Sequence, residues 1–137
     1  LKIAKKRHFF KNRKTTIFQL FSSYPFIMNA SEVKGVNPDQ LKEMMDKGDD
    51  FVIIDVREPD ELDISSLGGI NIPLGMLDKE IEQIPTDKPA IVLCRSGKRS
   101  YMAILFLQQE YQLDNLFNLN GGIIAYARDV DKDMRVY

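Results

Sequence analysis

Residues 90–110 read AIVLCRSGKRSYMAILFLQQE, and this stretch decides the fold. Ala90 to Cys94 is a short apolar run without polar alternation, the pattern of a strand buried on both faces. A polar turn carrying Gly97 follows, and from Lys98 onward the residues read as a mostly buried helix. Strand, tight turn and helix in immediate succession are one step of an α/β layer with a largely parallel sheet.

The same alternation runs outward on both sides. Upstream, NPDQLKEMMDKG predicts a helix with Asn37 as N-cap, Pro38 at its first position and Gly48 beyond its end. Leu41, Met44 and Met45 give that helix one apolar face, and FVIID (51–55) is the next buried strand. EPDEL reads as a short helix and INIP (70–73) as a short strand. Leu74, Leu77, Ile81 and Ile84 form the stripe of a further amphipathic helix that Pro85 ends. Downstream, NLFNL is a strand and GGIIAYARDV a turn with a last helix. The expectation is an α/β domain over residues 35–137, with a mostly parallel central sheet and helices on both faces.

The 137-residue chain is of single-domain length and carries a formal net charge of −1. That balance hides a division. Residues 1–27 hold seven basic and no acidic residues, whereas the rest hold twelve basic and all twenty acidic ones, a net of −8. Residues 1–30 have the order of a signal peptide, but Gln19, Ser22, Ser23 and Pro25 interrupt the apolar part. A nucleic-acid or membrane-surface arm is a second reading, a linker from a larger parent a third, and a tail upstream of a natural start at Met28 a fourth. The linker or tail, disordered or helical, is preferred. No nucleic-acid partner is therefore expected.

One cysteine cannot form an internal disulfide, which fits a reducing, cytoplasmic setting. With His8 as the one histidine, no metal site is expected. No apolar run reaches the ~18 residues of a membrane span.

Sites in parallel sheets form beyond the carboxyl ends of strands, and Cys94 stands at such an end. Backbone N–H groups of residues 95 to 99, backed by a helix N-terminus, can form a bowl for an anion and favour the thiolate. Arg95, Lys98 and Arg99 would add charge in the same direction, and a thiolate is the nucleophilic form. The plainer alternative, a small buried hydrophobe, explains Ile91 to Leu93 but not three cations and a glycine turn beside the thiol.

CRSGKRS resembles the active-site loop of rhodanese-like sulfurtransferase domains, and FVIIDVREPDEL their N-terminal signature. GGINIPLG and NLNGGIIAYA are similar to two further landmarks in the same order, so the resemblance covers about residues 36–137. The GGINIP form and the ending DMRVY together most resemble the rhodanese module at the C-terminus of bacterial molybdopterin-synthase adenylyltransferases.

The resemblance implies a sulfurtransferase of the thiosulfate (rhodanese) type. Cys94 would take sulfur from a sulfane donor such as thiosulfate as a persulfide, with no other cofactor. The acceptor would be cyanide, a thiol or a sulfur-carrier protein. It implies that Arg95, Ser96, Gly97, Lys98 and Arg99 line the anion-binding loop, with Asp55, Arg57 and Ser100 in support.

Two departures, DISSLGG where many relatives carry a histidine and Tyr126 where tryptophan is usual, bear on acceptor preference rather than on the nucleophile. Two rivals remain. A docking module would have no need of Cys94. Cysteine-dependent phosphatases use Cys-x5-Arg, whereas Cys94 and Arg99 are separated by four residues, a ring suited to one sulfur atom.

Overall fold

Five short strands carry the chain, all parallel, in the order β1-β5-β4-β2-β3. The computed structural model describes residues 33–137, so the reading of residues 1–30 lies outside the described residues. The strands are β1 (Gly35–Val36), β2 (Val52–Asp55), β3 (Ile70–Asn71), β4 (Ala90–Leu93) and β5 (Leu116–Leu119). Helices α1 (Pro38–Lys47), α2 (Pro59–Leu62), α3 (Lys98–Tyr111) and α4 (Gly122–Asp129) connect or follow them. The expected parallel α/β architecture is the one observed. The two-residue β1 was not expected, because so short a run has no periodicity of its own.

Period-2 geometry explains why the central strands are apolar throughout. Ile54, Val92 and Cys94 face one layer, where they join Ala103, Ile104 and Leu107 of α3. Ile53, Ile91 and Leu93 face the other, where they meet Leu41 of α1 and Ile123 and Tyr126 of α4. Helices therefore cover both faces. Each fully buried Leu or Ile contributes about 1.5–3 kcal/mol relative to exposure.

At the start of α1, the Asn37 N–H donates to Gln40 Oε1 at 2.8 Å, and Gly48 closes the helix in the left-handed region at φ 67. Leu41 is fully buried, and Met44 packs against the same cluster. Met45 lies instead at the edge of that face, 38% exposed.

The helix expected over residues 74–84 is replaced by two 3-10 turns, Leu74–Met76 and Ile81–Gln83. Leu77, Ile81 and Ile84 are still buried in the α3-side core, so the apolar stripe is right and the helix is not. Gly75 is a poor helix former, and the Tyr111 hydroxyl from α3 donates to Asp78 between the turns. Those constraints bury the stripe through i→i−3 bonds such as Met76 N–H to Pro73 O and Ile84 N–H to Ile81 O.

Among the described residues, no helix is long and apolar enough to cross a membrane, and no cluster of His, Cys, Asp and Glu could hold a metal ion.

Candidate active site

Parallel strands bring their carboxyl ends to one edge of the sheet. Cys94 follows β4, Asp55 ends β2 with Arg57 two residues on, and Asn120 to Gly122 follow β5. The sequence between Cys94 and Lys98 then has to turn from strand into helix within three residues. Gly97 makes that turn possible at φ 95, a left-handed conformation that a Cβ disfavours.

Cys94 is fully buried, and its Sγ accepts the Gly97 N–H at 3.1 Å. Ser100 Oγ, in the first turn of α3, lies 3.4 Å from the same sulfur. The orientation of the loop is enforced from behind. The N–H groups of Ile123 and Ile124, at the start of α4, donate to the carbonyls of Cys94 and Arg95 at 3.0 and 3.1 Å. With those carbonyls held by α4, the loop closes as a turn against two helix N-termini. Gly122 sits at φ 64 beneath the loop, and a Cβ there would approach Arg95 O to 2.4 Å.

The three loop cations do not share one fate. Arg99 forms a two-pronged ion pair with Glu61 of α2, both nitrogens at 2.7 Å from a carboxylate oxygen. These hydrogen bonds, above all, raise its pKa above its ordinary value, and Coulombic attraction to Cys94 adds to a lesser degree. Arg95 turns toward the chain's last residue: its guanidinium lies 5.2 Å from the Tyr137 ring centroid, and its Nε donates to Tyr137 O. Lys98 and Ser96 are exposed at the rim. The expectation of three cations converging on the thiol is therefore altered, because Glu61 and Tyr137 reach over the loop and engage two of them.

Glu61 is a residue the sequence reading passed over. Hydrogen bonds from Arg99 hold its carboxyl at about pKa 2, against the opposing effect of partial burial and with help from the Glu58 N–H and the Tyr137 hydroxyl. Tyr137 was also passed over. Its hydroxyl donates to Glu61 Oε1 at 2.8 Å and accepts from Arg57 Nη1 at 3.0 Å.

Asp55 and Arg57 form a buried pair. Arg57 Nε and Nη2 donate to the Asp55 carboxylate at 3.0 and 2.7 Å, and Nη2 also reaches Ser65 O at 2.9 Å. Burial opposes the Arg57 charge, but Asp55 and Tyr137 outweigh it and its pKa is raised. Asn71 Nδ2, another unexpected contributor, ties down the carbonyls of Asp55 and Arg57 at 2.9 and 2.8 Å. The side-chain hydrogen bonds of Asp55 and Arg57 join them to each other, to Glu61 O, Ser65 O and Tyr137 rather than to Cys94, so the pair braces the segment that carries Glu61. Asn118 completes the inner layer, and its polarity within the apolar run NLFNL was the signal that could have revealed it.

Beside the loop lies a cavity of about 480 Å³, lined in part by Ser96, Gly97, Lys98, Tyr101 and Asn120. Tyr126, by contrast, packs in the core cluster on the α1 side.

Residues 37–129 match the family described as rhodanese-like domain. A sulfurtransferase of Allochromatium vinosum is 31% identical over 97 residues, covering 70% of this chain and 90% of that protein. The probable adenylyltransferase/sulfurtransferase MoeZ of Mycobacterium tuberculosis is 32% identical over 113 residues, 79% of this chain. The chain spans only 29% of that relative's length. Among solved structures, a rhodanese-related protein from Thermoplasma volcanium superposes with a TM-score of 0.62 at 32% identity, covering 71% of this chain and 93% of that one. A strand-end cysteine in a glycine-turned loop, a five-stranded parallel sheet and these matches lead to one conclusion: the chain belongs to the rhodanese-like domain family.

Proposed function

We propose that residues 35–137 form a sulfurtransferase module that carries sulfur on Cys94. The observation that carries this reading is the placement of Cys94 Sγ, 3.1 Å from the Gly97 N–H at the end of β4, in a chain of the rhodanese-like family. A relative of matching length that bears the name sulfurtransferase supports it.

The step is a pair of displacements at sulfur. The Cys94 thiolate attacks the outer sulfur of thiosulfate or another sulfane donor. The new S–S bond forms as the donor's S–S bond breaks, and sulfite leaves with that electron pair. The persulfide carries the sulfur. A thiolate or cyanide is the acceptor class, including a thiol that passes the sulfur on toward a sulfur-carrier protein; attack on the outer sulfur expels Cys94 as thiolate. Gly97 and the rest of the Arg95–Arg99 loop stabilise the anionic sulfur, Lys98 attracts anionic donors at the rim, and no other cofactor takes part. Asp55 and Arg57 support the loop indirectly, through Glu61 and Tyr137.

The four-residue gap between Cys94 and Arg99, with Arg99 tied to Glu61, favours sulfur over phosphate. Incubation with thiosulfate followed by intact mass measurement tests the reading. A gain of one sulfur atom that is absent in Cys94→Ser and removed by cyanide is expected. An unchanged mass in the native chain would overturn it.

A further inference from the structure

Ser100 has one hydroxyl proton and two neighbours that can take it. Its Oγ lies 2.6 Å from Asn118 Oδ1 and 3.4 Å from Cys94 Sγ, and all three residues are buried. The Asn118 amide is oriented by its other end, because Nδ2 donates to the Gly97 carbonyl at 3.3 Å. The flipped amide would set two acceptor oxygens, Oδ1 and Gly97 O, against each other. Oδ1 therefore faces Ser100 as an acceptor, and at 2.6 Å it holds the hydroxyl proton. In that state the oxygen that Ser100 shows to Cys94 is a lone pair. It suits a neutral S–H donor and opposes a negative sulfur.

We propose that Ser100 is a one-proton switch at Cys94 and that Asn118 is the positioning residue that sets it. With Cys94 as a thiol, the S–H donates to Ser100 Oγ and the Ser100 O–H donates to Asn118 Oδ1. When Cys94 gives up its proton to a base in the medium, the hydroxyl rotates about its Cβ–Oγ bond and donates to the sulfur anion. That rotation adds a second donor to the Gly97 N–H and leaves Oδ1 without the hydroxyl. Asn118 thus competes with the charged sulfur for a single proton, which restrains the thiolate until a charge is needed. A neutral amide is the acceptor that permits release; a carboxylate at the same place would retain the proton.

The proposal rests on Cys94 as the reacting group, but its test does not use sulfur transfer. The readout is the rate of iodoacetamide alkylation of Cys94 near pH 7 divided by the rate near pH 10, which follows the share of thiolate. Ser100→Ala removes a donor to the anion and is expected to lower the ratio about tenfold. Asn118→Leu frees the hydroxyl for the sulfur and is expected to raise the ratio about threefold, whereas Asn118→Asp retains the proton and lowers it. In the S100A background the rise from Asn118→Leu disappears. If Asn118 only held the loop through Gly97, both Asn118 variants would lower the ratio. Such a common direction, or a rise of equal size in the S100A background, would overturn the switch. An unchanged mass after incubation with thiosulfate, by contrast, would bear on the sulfur-transfer reading alone.

Discussion

Glu61 and Arg99, thirty-eight positions apart, meet in two parallel 2.7 Å hydrogen bonds that fasten α2 to the loop of Cys94. Tyr137 donates to the same carboxylate, and Arg57 reaches the Tyr137 hydroxyl. A chain of charge-assisted bonds thus runs from buried Asp55, through Arg57, Tyr137 and Glu61, to the helix that begins beside Cys94. Two consequences can be measured.

The first is a pH dependence of stability. The Glu61 carboxyl titrates at about 2 in the folded chain, and near the ordinary ~4.3 once unfolded. A depressed carboxylate contributes stability that is complete above the unfolded value and is lost as pH falls through about 4.3 toward about 2. Because both side chains touch water, the contribution is about 1–2 kcal/mol. Urea unfolding of native chain and Glu61→Gln at pH 6, 4 and 2.5 checks this. The difference between them is expected to be largest at pH 6 and to shrink toward pH 2.5; a constant difference would sink the assignment.

The buried Asp55–Arg57 pair makes a second, larger prediction. Arg57→Met removes the cation and leaves Asp55 charged, buried and short of three hydrogen bonds. The expected loss is about 3–5 kcal/mol, readable as a lowered midpoint of chemical unfolding. Arg57→Lys restores the charge but not the fork that also reaches Tyr137 and Ser65, so it recovers only part of the loss. Full recovery by lysine would show that charge alone matters.

Two glycines with nearly equal backbone angles separate strain from function. Gly122 at φ 64 lies against Arg95 O and Cys94 O, whereas Gly48 at φ 67 has open space around it. Gly48→Ala is expected to lose about 1–2 kcal/mol of stability and to leave sulfur transfer unchanged. Gly122→Ala pays the same backbone strain and also displaces the Cys94 loop, so on the proposed function sulfur transfer from thiosulfate should fall about a hundredfold. Equal activity in the two variants would show that α4 does not position the loop.

Much of the fold and the centre of the site was legible in the sequence. Ile91 to Leu93 could be read as a doubly buried strand because every residue is apolar, and Gly97 marked the turn because only a glycine accepts φ 95 easily there. Lys98 began the helix, and Cys94 was thereby placed at a strand end. These are local rules, acting over a few residues. The stripe Leu74, Leu77, Ile81 and Ile84 shows their limit, since burial requires apolar side chains at those positions but leaves the backbone between them free to form two 3-10 turns.

What only the tertiary structure decided is which charges the loop keeps for itself. Lys98 remains at the rim, Arg99 is taken by Glu61, and Arg95 is drawn to Tyr137. Asn118, one polar residue in an apolar strand, becomes the partner of Ser100 eighteen positions earlier. No periodicity encodes such pairs, because they depend on parallel strands delivering their ends to one edge from distant parts of the chain. Residue types and local spacing determined that a thiol would sit at the end of a buried strand; long-range hydrogen bonding decided what surrounds it.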